Sequence, residues 1–87
     1  MTAQRTPTHE EIAAVVREFI ARLSGHPDIE DDWPLISGGV LDSIAAVQMV
    51  DFVERTFHVE VADEDLELLN FDSVRGLAAL VTRRVAA

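Results

Sequence analysis

The chain contains no Cys and no Tyr. A covalent nucleophile would therefore have to be Ser or Thr, activated by a neighbouring base. The three His, at positions 9, 26 and 58, stand near helix ends or in loops, and no two share a metal-ligand spacing. The acid runs Glu30-Asp31-Asp32 and Asp63-Glu64-Asp65 lack the ligand order and the turn Gly of a calcium loop. Neither catalytic residues nor a metal site are expected. What is left is two Asp-Ser pairs, Asp42-Ser43 and Asp72-Ser73. Both are expected to open helices, and N-capping alone accounts for both. Their settings differ. Asp72-Ser73 follows closely on a short helix. Asp42-Ser43 ends a glycine-bearing loop and opens the most regular helix of the chain. A hydroxyl there sits in the open at the positive end of a helix dipole, which suits a serine carrying a phosphate ester.

The elements that must position that serine read as helices. Thr8 and Glu11 form a capping box. Ile12, Val15, Val16, Phe19, Ile20 and Leu23 then repeat at helical period, and Ser24, Gly25 and Pro27 end the helix. A loop from Ser24 to Asp42 is too long to be a bare connection. Its Ile29, Trp33, Leu35, Ile36, Val40 and Leu41 predict that it folds onto the core, with Trp33 as an anchor. A second helix from Asp42-Ser43 has Ala46, Met49, Val50, Val53 and Phe57 as its buried stripe. His58 stands at its negative end, before a short extended link, Val59–Val61. Asp63 is expected to cap a short third helix, about 64–70, with Leu66 and Leu69 inward. Asp72 is expected to cap a fourth, with Val74, Leu77, Ala78, Val81 and Val85 in phase. The expected fold is all-α: a small four-helix bundle of three long helices and a short third one, with a long loop between the first two.

Eighty-seven residues allow one domain, expected over 8–87 after a flexible N-terminus at 1–7. No apolar run approaches the ~18 residues of a membrane helix, and no signal-peptide pattern opens the chain. With no Cys, a cytoplasmic location is expected. The net charge is −9, and all seven bases are Arg. Residues 28–72 carry thirteen acids against one base, Arg55, a balance of −12. Direct nucleic-acid binding is excluded, since phosphates need a basic patch. Basic protein partners are favoured, because opposite potentials orient and speed encounter.

The stretch Gly38-Gly39-Val40-Leu41-Asp42-Ser43-Ile44, followed by Val47, Met49, Val50 and Phe57, resembles the phosphopantetheine attachment motif of the acyl carrier and peptidyl carrier proteins. The resemblance continues through Phe57-His58-Val59-Glu60-Val61, the short acidic helix and Asn70-Phe71, and covers roughly residues 8–85. It implies a carrier that is not itself an enzyme. Ser43 would receive 4′-phosphopantetheine from coenzyme A through a magnesium-dependent phosphopantetheinyl transferase, and Asp42 would help bind the magnesium. The arm's thiol would hold acyl intermediates as thioesters, which explains how a carrier does without Cys. The implied partners are that transferase, an acyl- or aminoacyl-loading ligase, and downstream acyl-transferring or synthase enzymes. The helix after the serine departs from the family in being poor in acids: only Asp51 and Glu54, with a basic Arg55, and Gln48 where fatty-acid carriers often have an acid. Leu41-Asp42-Ser43-Ile44 is closer to free-standing carriers of specialised lipid, polyketide or nonribosomal pathways.

Ile44 and Val47 fall off the buried stripe beside the serine. With Gln48, Asp51 and Glu54 they are expected to form a docking face for partners, on a carrier that acts as a monomer. Ala46 and Met49 on the second helix, with Leu66 and Leu69 on the third, are expected to part and admit an acyl chain. The alternatives are an aminoacyl or peptidyl carrier and, from a different class, an unmodified acidic helical adaptor.

Overall fold

The computed structural model describes residues 6–86. Helix α1 runs His9–Ser24 and α2 runs Ser43–Phe57. A single 3₁₀ turn, Asp63–Asp65, leads to the one-turn α3, Leu68–Phe71, and α4 runs Val74–Ala86. There is no strand among the described residues. The bundle is all-α in the expected order. Of the expected loose segment 1–7, residues 1–5 lie outside the described residues.

The capping box of α1 forms as its sequence demands. Thr8 Oγ1 accepts from the Glu11 amide at 3.1 Å, and Glu11 Oε1 accepts from the Thr8 amide at 2.8 Å. Two orphan donors are thereby satisfied. Ile12, Val16 and Ile20 are fully buried at spacing i, i+4, i+8, with Ala13 on one flank. Val15, expected in the stripe, is 37% exposed, because the smaller Ala13 takes the inward flank.

The long loop does fold onto the core. Ile29, Leu35 and Leu41 are buried, and Ile36 and Val40 pack against them. Trp33 is not the anchor: it is 37% exposed, its ring 5.7 Å from that of His26, while Leu35 fills the core position two residues on. The loop is tied at several points. Arg17 donates to Asp31 at 2.8 and 3.0 Å from α1. From the other side the Arg75 amide donates to Asp31 O at 2.9 Å, and its guanidinium pairs with Asp32 at 2.9 Å.

On α2 the fully inward residues are Ala45, Met49 and Val53, one step from the expected Ala46; Ala46, Val50 and Phe57 are half-buried on the flank. His58 ends the helix in the left-handed region, φ 55.

The third helix differs most from its sequence reading. Residues 64–70 do not form one helix. The chain leaves the 3₁₀ turn at Leu66 and is extended at Glu67 before α3 begins. That break resets the helical phase. Asp65 and Phe71 turn inward, while Leu66 (54% exposed) and Leu69 (79%) turn outward. Asp63 does not cap it; the Asp65 carboxylate instead turns back to accept from the Ala62 amide at 3.1 Å. Asp65 also takes the Arg84 guanidinium, its Nε at 2.7 Å, which pins the turn to α4. Burial of this carboxylate pushes its pKa up, but the bonds from Arg84 and Ala62 outweigh it and hold it low.

Candidate functional site

Ser43 is the first residue of α2 and is exposed. Its position is set from both sides. Ahead of it, Asp42 is extended (φ −96, ψ 179) and its Oδ1 accepts from the Ala45 amide at 2.9 Å. That cap leaves the serine side chain with nothing to do: no hydrogen bond to Ser43 Oγ forms among the described residues. Behind Ser43, Ala45, Met49 and Val53 seat α2 in the core. The loop before it is close-packed where glycine permits. A Cβ on Gly38 would collide with the Pro34 carbonyl, and Gly39 sits at φ 77. Leu41 closes the loop by donating its amide to Leu35 O at 2.9 Å.

The surface of α2 beyond Ser43 exposes two apolar side chains. Ile44 is 70% exposed and Val47 69%. Gln48 and Asp51 lie beside them, Asp51 paired to Arg55 at 3.1 Å. Glu54 belongs elsewhere. It is half-buried, and its Oε2 accepts from the Val61 amide at 2.9 Å, tying the extended link to α2. The four residues expected to make an acyl pocket are not gathered into one. Met49 is fully buried and Ala46 half-buried, but Leu66 and Leu69 face solvent, and α3 packs on α4.

The residue that sequence reading missed is Asp72. It does not cap α4. Ser73 does, accepting from the Gly76 amide at 2.9 Å. Asp72 crosses to the loop instead. Its Oδ1 accepts from the amides of Ile36 (2.7 Å) and Ser37 (2.8 Å), and its Oδ2 from the Ser37 hydroxyl at 2.6 Å. Its own carbonyl takes the Leu35 amide at 2.7 Å. Burial pushes this carboxyl up, yet the bonds from Ser37 and Ile36 prevail and hold its pKa below the usual carboxylate range. The Asp-Ser pair alone carries no signal of this, because at Asp42-Ser43 it is the aspartate that caps.

Among the described residues no cluster of His, Asp or Glu could hold a metal ion, and no helix is long and apolar enough to cross a membrane. A family model described as a phosphopantetheine attachment site matches residues 14–81. No curated protein matches the chain.

Proposed function

The chain belongs to the phosphopantetheine attachment site family of carrier domains, and from that premise we propose that Ser43 is the residue that takes the arm. The domain is a carrier, not an enzyme, and its cofactor is covalently attached 4′-phosphopantetheine. Covalent loading is what the unmodified-adaptor reading does without. A phosphopantetheinyl transferase and the enzymes that load and unload the arm are its partners.

The observation that carries the assignment is the free, exposed hydroxyl of Ser43 at the first turn of a fifteen-residue helix. The site suits the group. A phosphodiester there meets the positive end of the helix dipole, with the capping carboxylate of Asp42 beside it and no acid among the helical residues of the first turn. When bound, the arm supplies the thiol on which an acyl group is carried as a thioester. The chain's own residues do the rest. Ser43 Oγ attacks the phosphorus at the arm's end of the coenzyme A pyrophosphate; the Oγ–P bond forms as the P–O bond to adenosine 3′,5′-bisphosphate breaks, that nucleotide leaves, and the serine proton passes to a base of the transferase. Asp42 holds the turn by capping α2 and stands beside Ser43 to help bind the transferase's magnesium. Ile44, Val47, Gln48 and Asp51 form the docking face, apolar contacts giving affinity and Asp51 giving orientation.

The acid-poor α2, with Gln48 and Arg55 on its surface, supports a specialised pathway over housekeeping fatty-acid synthesis, served in the cytoplasm by a monomer. The outward Leu66 and Leu69 favour a second reading, an aminoacyl or peptidyl carrier, over one that buries a long chain between α2 and α3.

Purified protein is incubated with coenzyme A, magnesium and a permissive phosphopantetheinyl transferase, then weighed intact. A gain of one phosphopantetheine is expected, and none for Ser43→Ala. Modification that persists in Ser43→Ala, on Ser24, Ser37 or Ser73, overturns the assignment.

A further inference from the structure

Between the C-terminal half of α1 and the outer face of α2 lies an open groove of about 620 Å³. Phe19 of α1 and Phe52 of α2 stack in it, ring centroids 3.9 Å apart and 9° from parallel. Leu23 lines it on the α1 side; Val47, Gln48, Thr56 and the Asp51–Arg55 ion pair line it on the α2 side. Both phenyl rings are only half-buried, so the stack is a solvent-reachable apolar surface. Phe19 and Leu23 pack on the edge of the core, whose fully buried α1 stripe is Ile12, Val16 and Ile20, and keep part of their surface open to the groove.

The groove begins one turn from Ser43. At 1.5 Å per residue, Val47 stands about 6 Å and Phe52 about 14 Å along α2 from the serine. The arm has about fifteen bonded atoms from Oγ to sulfur, the length of about five residues, and extends to about 17 Å. Laid back along α2, it delivers its sulfur to the phenyl pair. The polar side chains along this path, Gln48, Thr56 and the mutually paired Asp51 and Arg55, offer donors and acceptors to the arm's amides, and the phenyl pair matches an apolar group beyond the sulfur.

Resting on Ser43 as the attachment residue, we infer that this outer α1–α2 groove is the seat of the arm's own cargo, an aryl or medium-length apolar acyl group lying against Phe19 and Phe52. The cargo is thus held on the surface of the bundle and not between α2 and α3. Because Val47 belongs both to the groove and to the docking face, a partner that covers Val47 displaces the cargo as it docks.

The test loads the full chain with coenzyme A thioesters of acetyl, phenylacetyl and decanoyl groups. Intact mass first verifies one addition and its loss in Ser43→Ala. Amide NMR shifts are then read against the free-thiol form. Phenylacetyl and decanoyl are expected to shift Leu23, Phe52 and Thr56, with acetyl shifting them far less. Thr56→Trp, which fills the groove from an exposed position, should gain the same mass and lose most of those shifts. Leu23→Gln, on the facing wall, is the second variant should the first fail to fold. Shifts concentrated on Met49, Val53 and Leu80 would place the cargo inside the bundle and overturn the inference. Shifts confined to the neighbours of Ser43 would leave the cargo in solvent and overturn it equally. A missing mass gain sinks the carrier assignment at Ser43, and the groove with it.

Discussion

At Asp42-Ser43 the aspartate caps its helix and the serine is left over; at Asp72-Ser73 the serine caps and the aspartate is left over. The two dipeptides are identical, both stand at helix starts, and either side chain can cap. What differs is the surroundings of the second side chain. Ser43 has solvent in front of it. Asp72 has the amides of Ile36 and Ser37 within 2.8 Å. Capping needs one of the two side chains, and the fold decides what the other does. One pair thereby presents a free hydroxyl, while the other fastens the loop that leads to it.

The sharpest way to break this comparison is to remove each serine in turn. Ser43→Ala should lose all phosphopantetheine incorporation and keep its melting temperature. Ser73→Ala should accept the full group. Equal incorporation in the two variants, read by intact mass, would erase the distinction between the pairs.

Removing each aspartate should give the opposite ranking in stability. Asp72→Ala loses three hydrogen bonds to an ionised carboxylate, and because the freed amides lie near solvent the cost is about 2–3 kcal/mol. Asp42→Ala loses one cap, about 1 kcal/mol. Urea unfolding compares them, and an Asp42 variant as damaged as the Asp72 one would show that the two carboxylates do the same work. Gly38→Ala belongs to the same test. It forces Pro34 to move within the loop that Asp72 holds, so its cost should shrink once Asp72 is already replaced.

Acid should test the second pair as well. The folded pKa of Asp72 is depressed. Its stabilisation is therefore present above the unfolded value of about 3.9 and lost as pH falls through the lower folded value. Asp31, held low chiefly by its hydrogen bond from Arg17, loses its contribution in the same direction. The wild type should weaken steeply below about pH 4. Asp72→Asn should weaken less steeply there. Chemical unfolding at a series of pH values gives the slopes, and an unchanged slope in Asp72→Asn would mean that carboxyl titrates alike in both states.

The helix order, the capping box of α1 and the glycine-bearing loop before α2 were all legible in the sequence, because each rests on local rules: periodicity, caps and glycine. The place of Ser43 at the exposed start of α2 was legible for the same reason, as it needs only a helix start. The third helix was not. Leu66 and Leu69 are three apart and read as one inward face, but the chain leaves its 3₁₀ turn before Leu66 and is extended at Glu67, so no single helix joins them. That break is fixed by Arg84, nineteen residues on, gripping Asp65. Asp72 was misread similarly, since its partners lie thirty-five and thirty-six residues away. Local patterns locate elements; which side of a short element faces inward is settled by distant charges.

The smallest effect concerns the cap of α4 itself. Ser73→Ala leaves the Gly76 amide without its 2.9 Å acceptor at a helix start and should cost about 1 kcal/mol. Ser73→Asn offers an equivalent acceptor and should recover most of that loss. Ser73→Asp should recover less, although Asp and Asn cap equally well in isolation, because a second carboxylate would stand beside Asp72 and repel it. The order wild type, Asn, Asp, Ala is expected from urea unfolding, with faster hydrogen exchange at the Gly76 amide in the Ala variant. An Asp variant as stable as wild type would mean that Asp72 tolerates a neighbouring charge, and that its hold on Ile36 and Ser37 is set by geometry and not by its ionisation.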